Sequence, residues 1–213
     1  MKIVPISEYW HQIIATRSEA YLGLIYRVPP RLWRSLSLVQ DKLKASDPSQ
    51  LYAHPSTFHV TIKGLGYLER TMDNLQYEKA MKKISKIISG FKPFQISIRG
   101  VSAFPTSVLA LVQDPQNKLQ EMNLKILQEL GGQVEKSEFD GPNYIPHVTL
   151  ATFNNKNVDG LFSTLESEEI RYHDFGECAV YEVEAVEVNL LLALGPQETQ
   201  DSAFAYVRSF HLG

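Results

Sequence analysis

Two copies of the tripeptide His-Val-Thr, at residues 59–61 and 147–149, are the part of this sequence best suited to chemistry. Each copy lies in an apolar run that predicts a β-strand. Because side chains alternate between the two faces of a strand, the histidine and the threonine of each copy share one face, and their apolar neighbours share the other. Two imidazoles that face one cavity can act as general base and general acid, which is what cleavage of a phosphodiester needs. We call residues 59–61 the first motif and residues 147–149 the second motif.

The four polar side chains of the motifs are the candidate catalytic residues. A lone histidine on a strand is more often structural, but in a chain with 6 histidines two His-x-Thr tripeptides arise by chance in roughly 3% of cases. We therefore expect His59 and His147 to transfer protons. We expect Thr61 and Thr149 to donate hydrogen bonds to the non-bridging oxygens of a phosphate. Since the motifs are alike, which histidine is the base and which is the acid stays open.

The motifs lie on an internal repeat of predicted elements. The two histidines are 88 positions apart, and strands at residues 21–26 and 108–112 precede the first and the second motif, respectively. Between each strand and its motif we expect a helix that opens at a proline, Pro30 or Pro115, with Asp114 as the N-cap of the second helix. The apolar stripes of these helices are Leu32, Leu36, Val39 and Leu43 in the first, and Leu119, Met122, Ile126 and Leu130 in the second.

The repeat continues after each motif with an amphipathic segment and at least one more strand. The further strands are expected at residues 94–102, 180–194 and 205–212. The chain therefore predicts a single domain, residues 1–213, with two pseudo-symmetric halves at about 20–104 and 107–212. Residues 1–19 form a short N-terminal extension.

Composition and charge limit the classes of function. A chain of 213 residues can bury one core, and no apolar run is long enough to span a bilayer. Its one cysteine, Cys178, cannot form an internal disulfide and is expected to be a packed side chain in a cytoplasmic protein. A net charge of −3 argues against a broad surface for long nucleic acid. The densest basic run is interpreted as the solvated face of a helix and consists of Lys79, Lys82, Lys83 and Lys86.

The paired strands resemble the two-histidine (2H) phosphoesterase superfamily, which includes 2′-5′ RNA ligases and 2′,3′-cyclic nucleotide phosphodiesterases. Residues 59–66 resemble the first motif of that family and residues 146–151 the second. The resemblance implies an α+β, bilobal pseudo-twofold fold in which two antiparallel sheets form a central cleft with helices outside. Two positions depart from the family pattern: Gly64 stands where an aromatic is common, and Thr152 where many bacterial members have arginine. The segment with Trp10 and His11 has no counterpart.

Two further side chains are candidate substrate-binding residues, each with an alternative that stays open. Lys63 is in register with the first motif and reaches either the phosphate or the solvent at the cleft rim. Tyr144 lies on the approach to the second motif and either stacks on a nucleobase or packs on the domain edge. Phe104 is interpreted as a core residue, and Arg208 as part of a surface salt bridge rather than a phosphate ligand.

The resemblance implies a phosphodiesterase that opens 2′,3′-cyclic phosphates of RNA ends or nucleotides, with a reversible 2′-5′ RNA ligase activity as a further expectation. The alternative is a non-catalytic module that binds an RNA end or a nucleotide in the same cleft. The sequence has no His or Cys spacing typical of a zinc site, so we expect no metal and no cofactor. The expected partner is a nucleotide or an RNA terminus with a 2′,3′-cyclic phosphate. We expect no membrane association, and we expect the protein to be a monomer.

Overall fold

The computed structural model describes residues 2–6, 8, 20–66, 74–134, 136–193, 195 and 197–213. In these ranges the strands are β1 (Ala20–Arg27), β2 (Leu51–Tyr52), β3 (His59–Gly66), β4 (Phe94–Phe104), β5 (Ser107–Gln113), β6 (His147–Thr152), β7 (Asp174–Val180), β8 (Glu182–Asn189) and β9 (Phe204–His211). The α-helices are α1 (Pro30–Ser46), α2 (Asn74–Ile88), α3 (Lys118–Leu130), α4 (Asp159–Leu165), α5 (Glu168–Arg171) and α6 (Leu190–Ala193). The chain is therefore an α+β protein, as expected.

The described strands form one continuous antiparallel sheet rather than two separate ones, so that part of the prediction is wrong. The strand order is β7-β4-β5-β6-β3-β1-β8-β9, and β2 pairs with β6 as well. The two motif strands are neighbours at the middle of this order, but β3 and β6 are paired only at Val60 and Val148. Along this order the sheet thus divides into two groups of four strands, β7-β4-β5-β6 and β3-β1-β8-β9, which are joined by one short contact between the motifs; β2 is the ninth strand and adds to the group that contains β6.

The two groups of strands do not follow the two halves of the sequence. Strand β4 comes from the first half, yet it pairs with β5 and β7 of the second. Strand β8 comes from the second half, yet it pairs with β1 of the first and carries β9 at the sheet edge. Each half of the chain therefore supplies strands to both groups of the sheet, which the repeat along the sequence does not reveal.

The helices bury the apolar stripes that the sequence indicates. Helix α1 begins at Pro30 and buries Leu32, Leu36, Val39 and Leu43. Helix α3 buries its predicted stripe too, but it begins at Lys118, three residues after Pro115. Asp114 still accepts the backbone N–H groups of Leu119 at 2.7 Å and Gln116 at 3.2 Å, so it satisfies donors at the helix start without being the N-cap residue.

Several smaller predictions are also settled by the fold. In α2, Met81, Ile84 and Ile88 are buried, while the side chains of the lysine run are exposed to solvent. Cys178 is buried, as expected. Strand β8 ends at Asn189, where the predicted strand continued to residue 194, because α6 begins at Leu190.

The beginning of the chain is attached to the ends of two strands that lie near the second motif. The Val4 N–H donates to the Pro105 carbonyl at 2.8 Å, and the Ile6 N–H donates to the Phe153 carbonyl at 2.7 Å. Trp10 and His11 lie outside the described residues. Among the helices that the structure describes, none has the length and apolar character needed to cross a membrane.

Candidate active site

Both motifs present their histidine and threonine on one face of a strand, as the alternation predicts. In β3, His59 and Thr61 are partly exposed, whereas Val60 is fully buried. In β6, His147 and Thr149 are partly exposed, and Val148 is fully buried in the same way. Each strand therefore anchors its motif in the core through the central valine and leaves the two polar side chains accessible.

The contact between the motif strands brings the four polar side chains into one group. Val60 pairs with Val148 in an antiparallel register. That register sets His59 across from Thr149, and Thr61 across from His147. The two motifs are thus related by a local twofold through the valine pair, and each imidazole has the other motif's hydroxyl on the neighbouring strand.

A β-bulge follows each motif directly. In the β1–β3 ladder, Ile25 pairs with Thr61 but Leu24 pairs with Lys63, so Ile62 is the extra residue. In the β5–β6 ladder, Leu109 pairs with Thr149 but Val108 pairs with Ala151, so Leu150 is the extra residue. A bulge inserts one extra residue into the alternation of the strand. The position after it, which simple alternation would place on the exposed face, therefore lies on the buried face.

This bulge makes the predicted placement of Lys63 wrong. Simple alternation would put Lys63 on the face of His59 and Thr61, but the extra residue Ile62 turns it inward. The Lys63 side chain is only 1% exposed, and its Nζ donates to Asp140 Oδ2 at 2.8 Å. Lys63 is therefore a buried ion-pair residue and lies neither on the substrate face nor at a solvent-exposed rim.

The two imidazoles are oriented by equivalent hydrogen bonds. Nδ1 of His59 lies 2.7 Å from the carbonyl oxygen of Thr57, and Nδ1 of His147 lies 2.7 Å from the carbonyl oxygen of Ile145. A carbonyl only accepts, so Nδ1 must carry the hydrogen in both rings. In a neutral ring, the lone pair available for proton transfer is consequently on Nε2.

Each imidazole also packs against a phenylalanine. The ring centroids of His59 and Phe204 are 5.0 Å apart, and those of His147 and Phe104 are 5.8 Å apart. Phe104 is partly exposed, so its interpretation as a core residue is corrected: it lines the site beside His147. Phe204 is a site residue that sequence reasoning missed, since β9 reaches His59 only through the folded sheet.

The surroundings of both histidines favour the neutral imidazole. Burial lowers the pKa of His59 to about 4; the hydrogen bond to Thr57 opposes the shift, and the charges of His147 and Arg27 add to it. Burial also lowers the pKa of His147, against the hydrogen bond to Ile145. Burial acts in this direction because it penalises the charged form of the ring.

Arg27 is the second site residue that sequence reasoning missed. It is paired with His59 across the β1–β3 ladder. Its Nε and Nη2 donate to Glu184 Oε2 at 3.1 and 2.9 Å, and its Nη1 donates to the Ser56 carbonyl at 3.1 Å. An arginine at the end of a predicted strand is visible in the sequence, but its place beside His59 depends on the strand register.

Tyr144 and Arg208 each make contacts that fit one of the two alternatives that the sequence left open. The Tyr144 hydroxyl donates to the carbonyl of Thr61 at 2.9 Å, so this side chain joins the approach to the second motif with the first motif. Tyr144 is partly buried against the core, which matches the alternative of packing on the domain edge. Arg208 forms a surface ion pair with Glu78 at 3.4 Å, as interpreted.

The structure shows what surrounds Gly64 and Thr152, the two positions that depart from the family pattern. A Cβ atom added to Gly64 would lie 1.7 Å from the Tyr21 hydroxyl oxygen, so the Tyr21 ring occupies the space of a side chain at position 64. Thr152 ends β6 between Ser107 of β5 and Leu51 of β2. Within the described part of the chain, no group of three or more His, Cys, Asp or Glu side chains could hold a metal ion.

Comparison with known proteins gives a consistent result. The family model described as the 2′-5′ RNA ligase superfamily matches residues 28–186. A relative from Methanothermobacter thermautotrophicus, named RNA 2′,3′-cyclic phosphodiesterase, is 26% identical over 181 residues, which are 79% of this chain and 89% of that protein.

Solved structures share the fold. The protein TT0787 of Thermus thermophilus superimposes with a TM-score of 0.64 at 17% identity, over 90% of this chain and 97% of that one. E. coli LigT complexed with 3′-AMP gives a TM-score of 0.65 at 15% identity, also over 90% and 97% of the two chains. The family model spans both motifs and the strands that carry them, and the chain therefore belongs to the 2′-5′ RNA ligase superfamily of two-histidine phosphoesterases.

Proposed function

We propose that this protein opens 2′,3′-cyclic phosphates of RNA ends or nucleotides by acid–base catalysis with His59 and His147. One observation carries the proposal: on one shared face, each imidazole has its Nδ1 held by a backbone carbonyl, which leaves Nε2 for proton transfer. The relative named RNA 2′,3′-cyclic phosphodiesterase and the LigT structure with 3′-AMP support the same substrate class.

The surroundings of the two histidines favour a division of roles. The base must be neutral and the acid protonated at the start of hydrolysis. Burial, with the charges of His147 and Arg27 adding to it, lowers the pKa of His59 to about 4 and so favours its neutral form. No arginine is paired with His147, whose ladder partner is Leu111. We therefore assign His59 as the base and His147 as the acid.

The reaction then needs only proton transfers and phosphate positioning. Nε2 of His59 takes a proton from water, and the water oxygen attacks phosphorus. The bond between phosphorus and one ribose oxygen breaks, and His147 gives its proton to that oxygen. Thr61 and Thr149 donate hydrogen bonds to the non-bridging oxygens, where negative charge develops. Ligation through a 2′-5′ bond opens the same ring with the 5′-hydroxyl of a second RNA in place of water. His59 takes the proton of that hydroxyl, its oxygen attacks phosphorus, the bond from phosphorus to the 3′ oxygen breaks, and His147 gives its proton to the 3′ oxygen.

The proposal is tested by assaying cyclic mononucleotides and RNA with a cyclic end. The wild-type protein should hydrolyse them, and His59→Ala and His147→Ala should each reduce kcat/KM by about 10²- to 10⁴-fold. Circular dichroism spectra must show that both variants remain folded. Because the mechanism uses no metal, the wild-type rate should survive excess EDTA.

The other outcomes separate the alternatives. Nucleotide binding without turnover would support the non-catalytic binding module. Activity that EDTA abolishes and a divalent ion restores would replace the two-histidine mechanism by a metal-dependent one. Incubating an RNA with a 5′-hydroxyl and an RNA with a cyclic end, then mapping the linkage of any product, tests the ligation direction.

A further inference from the structure

Two buried side-chain amides lie beside the apolar stripes of the helices that flank the motifs. Gln40 of α1 is 4% exposed, and Asn123 of α3 is 1% exposed. A buried amide is tolerated only when its donors and acceptor are hydrogen-bonded, so its partners indicate its structural role.

Asn123 joins the end of the first motif to the approach to the second. Its Nδ2 donates to the carbonyl of Ile62, the bulge residue after Thr61, at 2.8 Å, and to Asp140 Oδ1 at 2.9 Å. Its Oδ1 accepts the N–H of Gly141 at 2.8 Å. Asp140 and Gly141 begin the segment that leads to His147, which we call the second approach loop (residues 140–146).

Gln40 makes the converse connection. Its Nε2 donates to the carbonyl of Leu150, the bulge residue after Thr149, at 2.6 Å, and to the carbonyl of Ala53 at 2.9 Å. Ala53 begins the first approach loop (residues 53–58), which leads to His59. The Ala53 N–H in turn donates to the carbonyl of Leu150 at 3.1 Å.

Each amide therefore connects the bulge after one motif with the approach loop before the other. This matters because β3 and β6 share only the Val60–Val148 pair, which alone fixes neither the angle nor the spacing of the motifs. The approach loops also supply the carbonyls that orient the imidazoles. The Thr57 carbonyl of the first loop accepts from His59, and the Ile145 carbonyl of the second loop accepts from His147. A shift in either loop would thus move an imidazole.

We propose that Gln40 and Asn123 are paired positioning residues that hold the His59 and His147 imidazoles at their working separation. The inference rests on the proposed function, because the separation matters for a reaction in which both rings act on one phosphate. Displacement of a catalytic group by about 1 Å reduces the rate by about 100-fold. The loss should fall on kcat, since neither amide faces the substrate.

Gln50 provides a matched control for the structural effect of removing a buried glutamine. It is 4% exposed, like Gln40. Its Nε2 donates to Asp47 Oδ2 at 2.7 Å and to the Asn157 carbonyl at 3.1 Å, and its Oε1 accepts the N–H of Asn154 at 2.8 Å. None of these partners belongs to a motif or to an approach loop.

The kinetic test compares Gln40→Met with Gln50→Met on a cyclic mononucleotide. We expect Gln40→Met to lower kcat by about 10- to 100-fold with KM changed by less than about threefold, and Asn123→Leu to behave similarly. Gln50→Met should lose a comparable amount of thermal stability and keep its kcat within about twofold. Equal kcat values for the two glutamine variants would overturn the proposal.

A second measurement does not depend on turnover. In protein with labelled histidine, NMR titration gives the pKa of His59 with and without the substitution His147→Gln, and the difference reports the proximity of the rings, since the charge of His147 lowers the pKa of His59. The difference should shrink in a Gln40→Met background and persist in a Gln50→Met background. An unchanged difference in both backgrounds would refute the positioning role.

The two measurements separate the two claims. If the wild-type protein has no turnover, the proposed function fails, and the titrations still decide whether Gln40 sets the separation of the rings. If Gln40→Met does not fold, Gln40→Asn, which keeps the amide on a shorter side chain, is compared with Gln50→Asn in the same way.

Discussion

The histidines of the two motifs have the same local sequence and different surroundings. Across the ladder, His59 is paired with Arg27, whereas His147 is paired with Leu111. A positive charge beside an imidazole disfavours its protonated form. A repeated motif can in this way provide a base and an acid, because the neighbouring strand supplies the difference that the motif lacks.

The first prediction concerns the pH dependence of kcat/KM. In the proposed mechanism the active form has a neutral His59 and a protonated His147, and its population is largest between the two pKa values of the free protein. Since both values are lowered from 6.5, His59 to about 4, we expect a bell-shaped profile with its maximum below pH 6.5. The profile belongs to the coupled pair rather than to either ring alone.

The profile of kcat should differ from that of kcat/KM. The negative phosphate of a bound substrate favours protonated imidazoles and raises both pKa values. The maximum of kcat should accordingly lie at a higher pH than that of kcat/KM. A kcat/KM profile that is flat from pH 4 to 8, or one centred above pH 6.5, would contradict the effect of burial on these rings.

The second prediction assigns the role of Arg27. Replacing it by glutamine removes a positive charge beside His59, so the pKa of His59 rises and the acidic limb of kcat/KM moves to higher pH by on the order of half a unit. Arg27→Lys keeps the charge and serves as the control. If both variants move the limb equally, the lost hydrogen bond to Ser56 matters rather than the charge.

At the scale of the elements, the bulges after the motifs decide which side chains reach the site. The one at Ile62 turns Lys63 inward to Asp140, and the one at Leu150 turns Ala151 inward at the equivalent position. Burial alone would raise the pKa of Asp140, but the hydrogen bonds that its carboxylate accepts, with the Lys63 bond foremost, lower it. The second approach loop is thereby attached to β3 by an ion pair.

The third prediction concerns this buried pair. Lys63→Met leaves the Asp140 carboxylate without its partner and should lower the free energy of unfolding by about 3–5 kcal/mol. Adding Asp140→Asn removes the unpaired charge, keeps an acceptor, and should restore most of that loss. Urea denaturation at pH 7 measures both variants.

The exposed pair of Lys118 and Glu121 is the control for the third prediction. Its side chains are 36% and 38% exposed, so Lys118→Met should change stability by less than about 1 kcal/mol. A Lys63→Met variant as stable as Lys118→Met would show that the buried pair contributes little to holding the loop.

At the scale of the whole molecule, the exchange of strands between the halves makes the site a property of the complete sheet. The strands that support the second motif include β4 from the first half, and those that support the first motif include β8 from the second. Each half by itself lacks at least one strand that pairs with its own motif strand: β3 pairs with β6 of the second half, and β6 pairs with β2 and β3 of the first. We therefore expect the two motif strands to lose their native arrangement together when the sheet unfolds.

The fourth prediction concerns the size of the substrate. The chain has a net charge of −3, and its densest lysine run lies on the exposed face of α2. We expect the protein to recognise the cyclic phosphate, its ribose and one or two bases. A cyclic mononucleotide should have a kcat/KM within about tenfold of that of a long RNA with the same end.

Salt provides the control for the fourth prediction. If the protein neutralises few phosphates, raising the salt concentration should lower kcat/KM modestly and to a similar degree for both substrates. A preference of about a thousandfold for long RNA, with a steep salt dependence, would reveal an extended basic surface assembled by the fold.

The sequence by itself determined the two motifs, the faces on which their histidines and threonines lie, the apolar stripes of the helices and the family. These features are local: alternation along a strand and the period of a helix follow from backbone geometry over a few residues. The tertiary structure decided the place of Lys63, the proximity of Arg27 and Phe204 to His59, and the union of the strands into one sheet. Each of these depends on the register between segments far apart in the chain, where one extra residue in a strand reverses the face of every side chain beyond it.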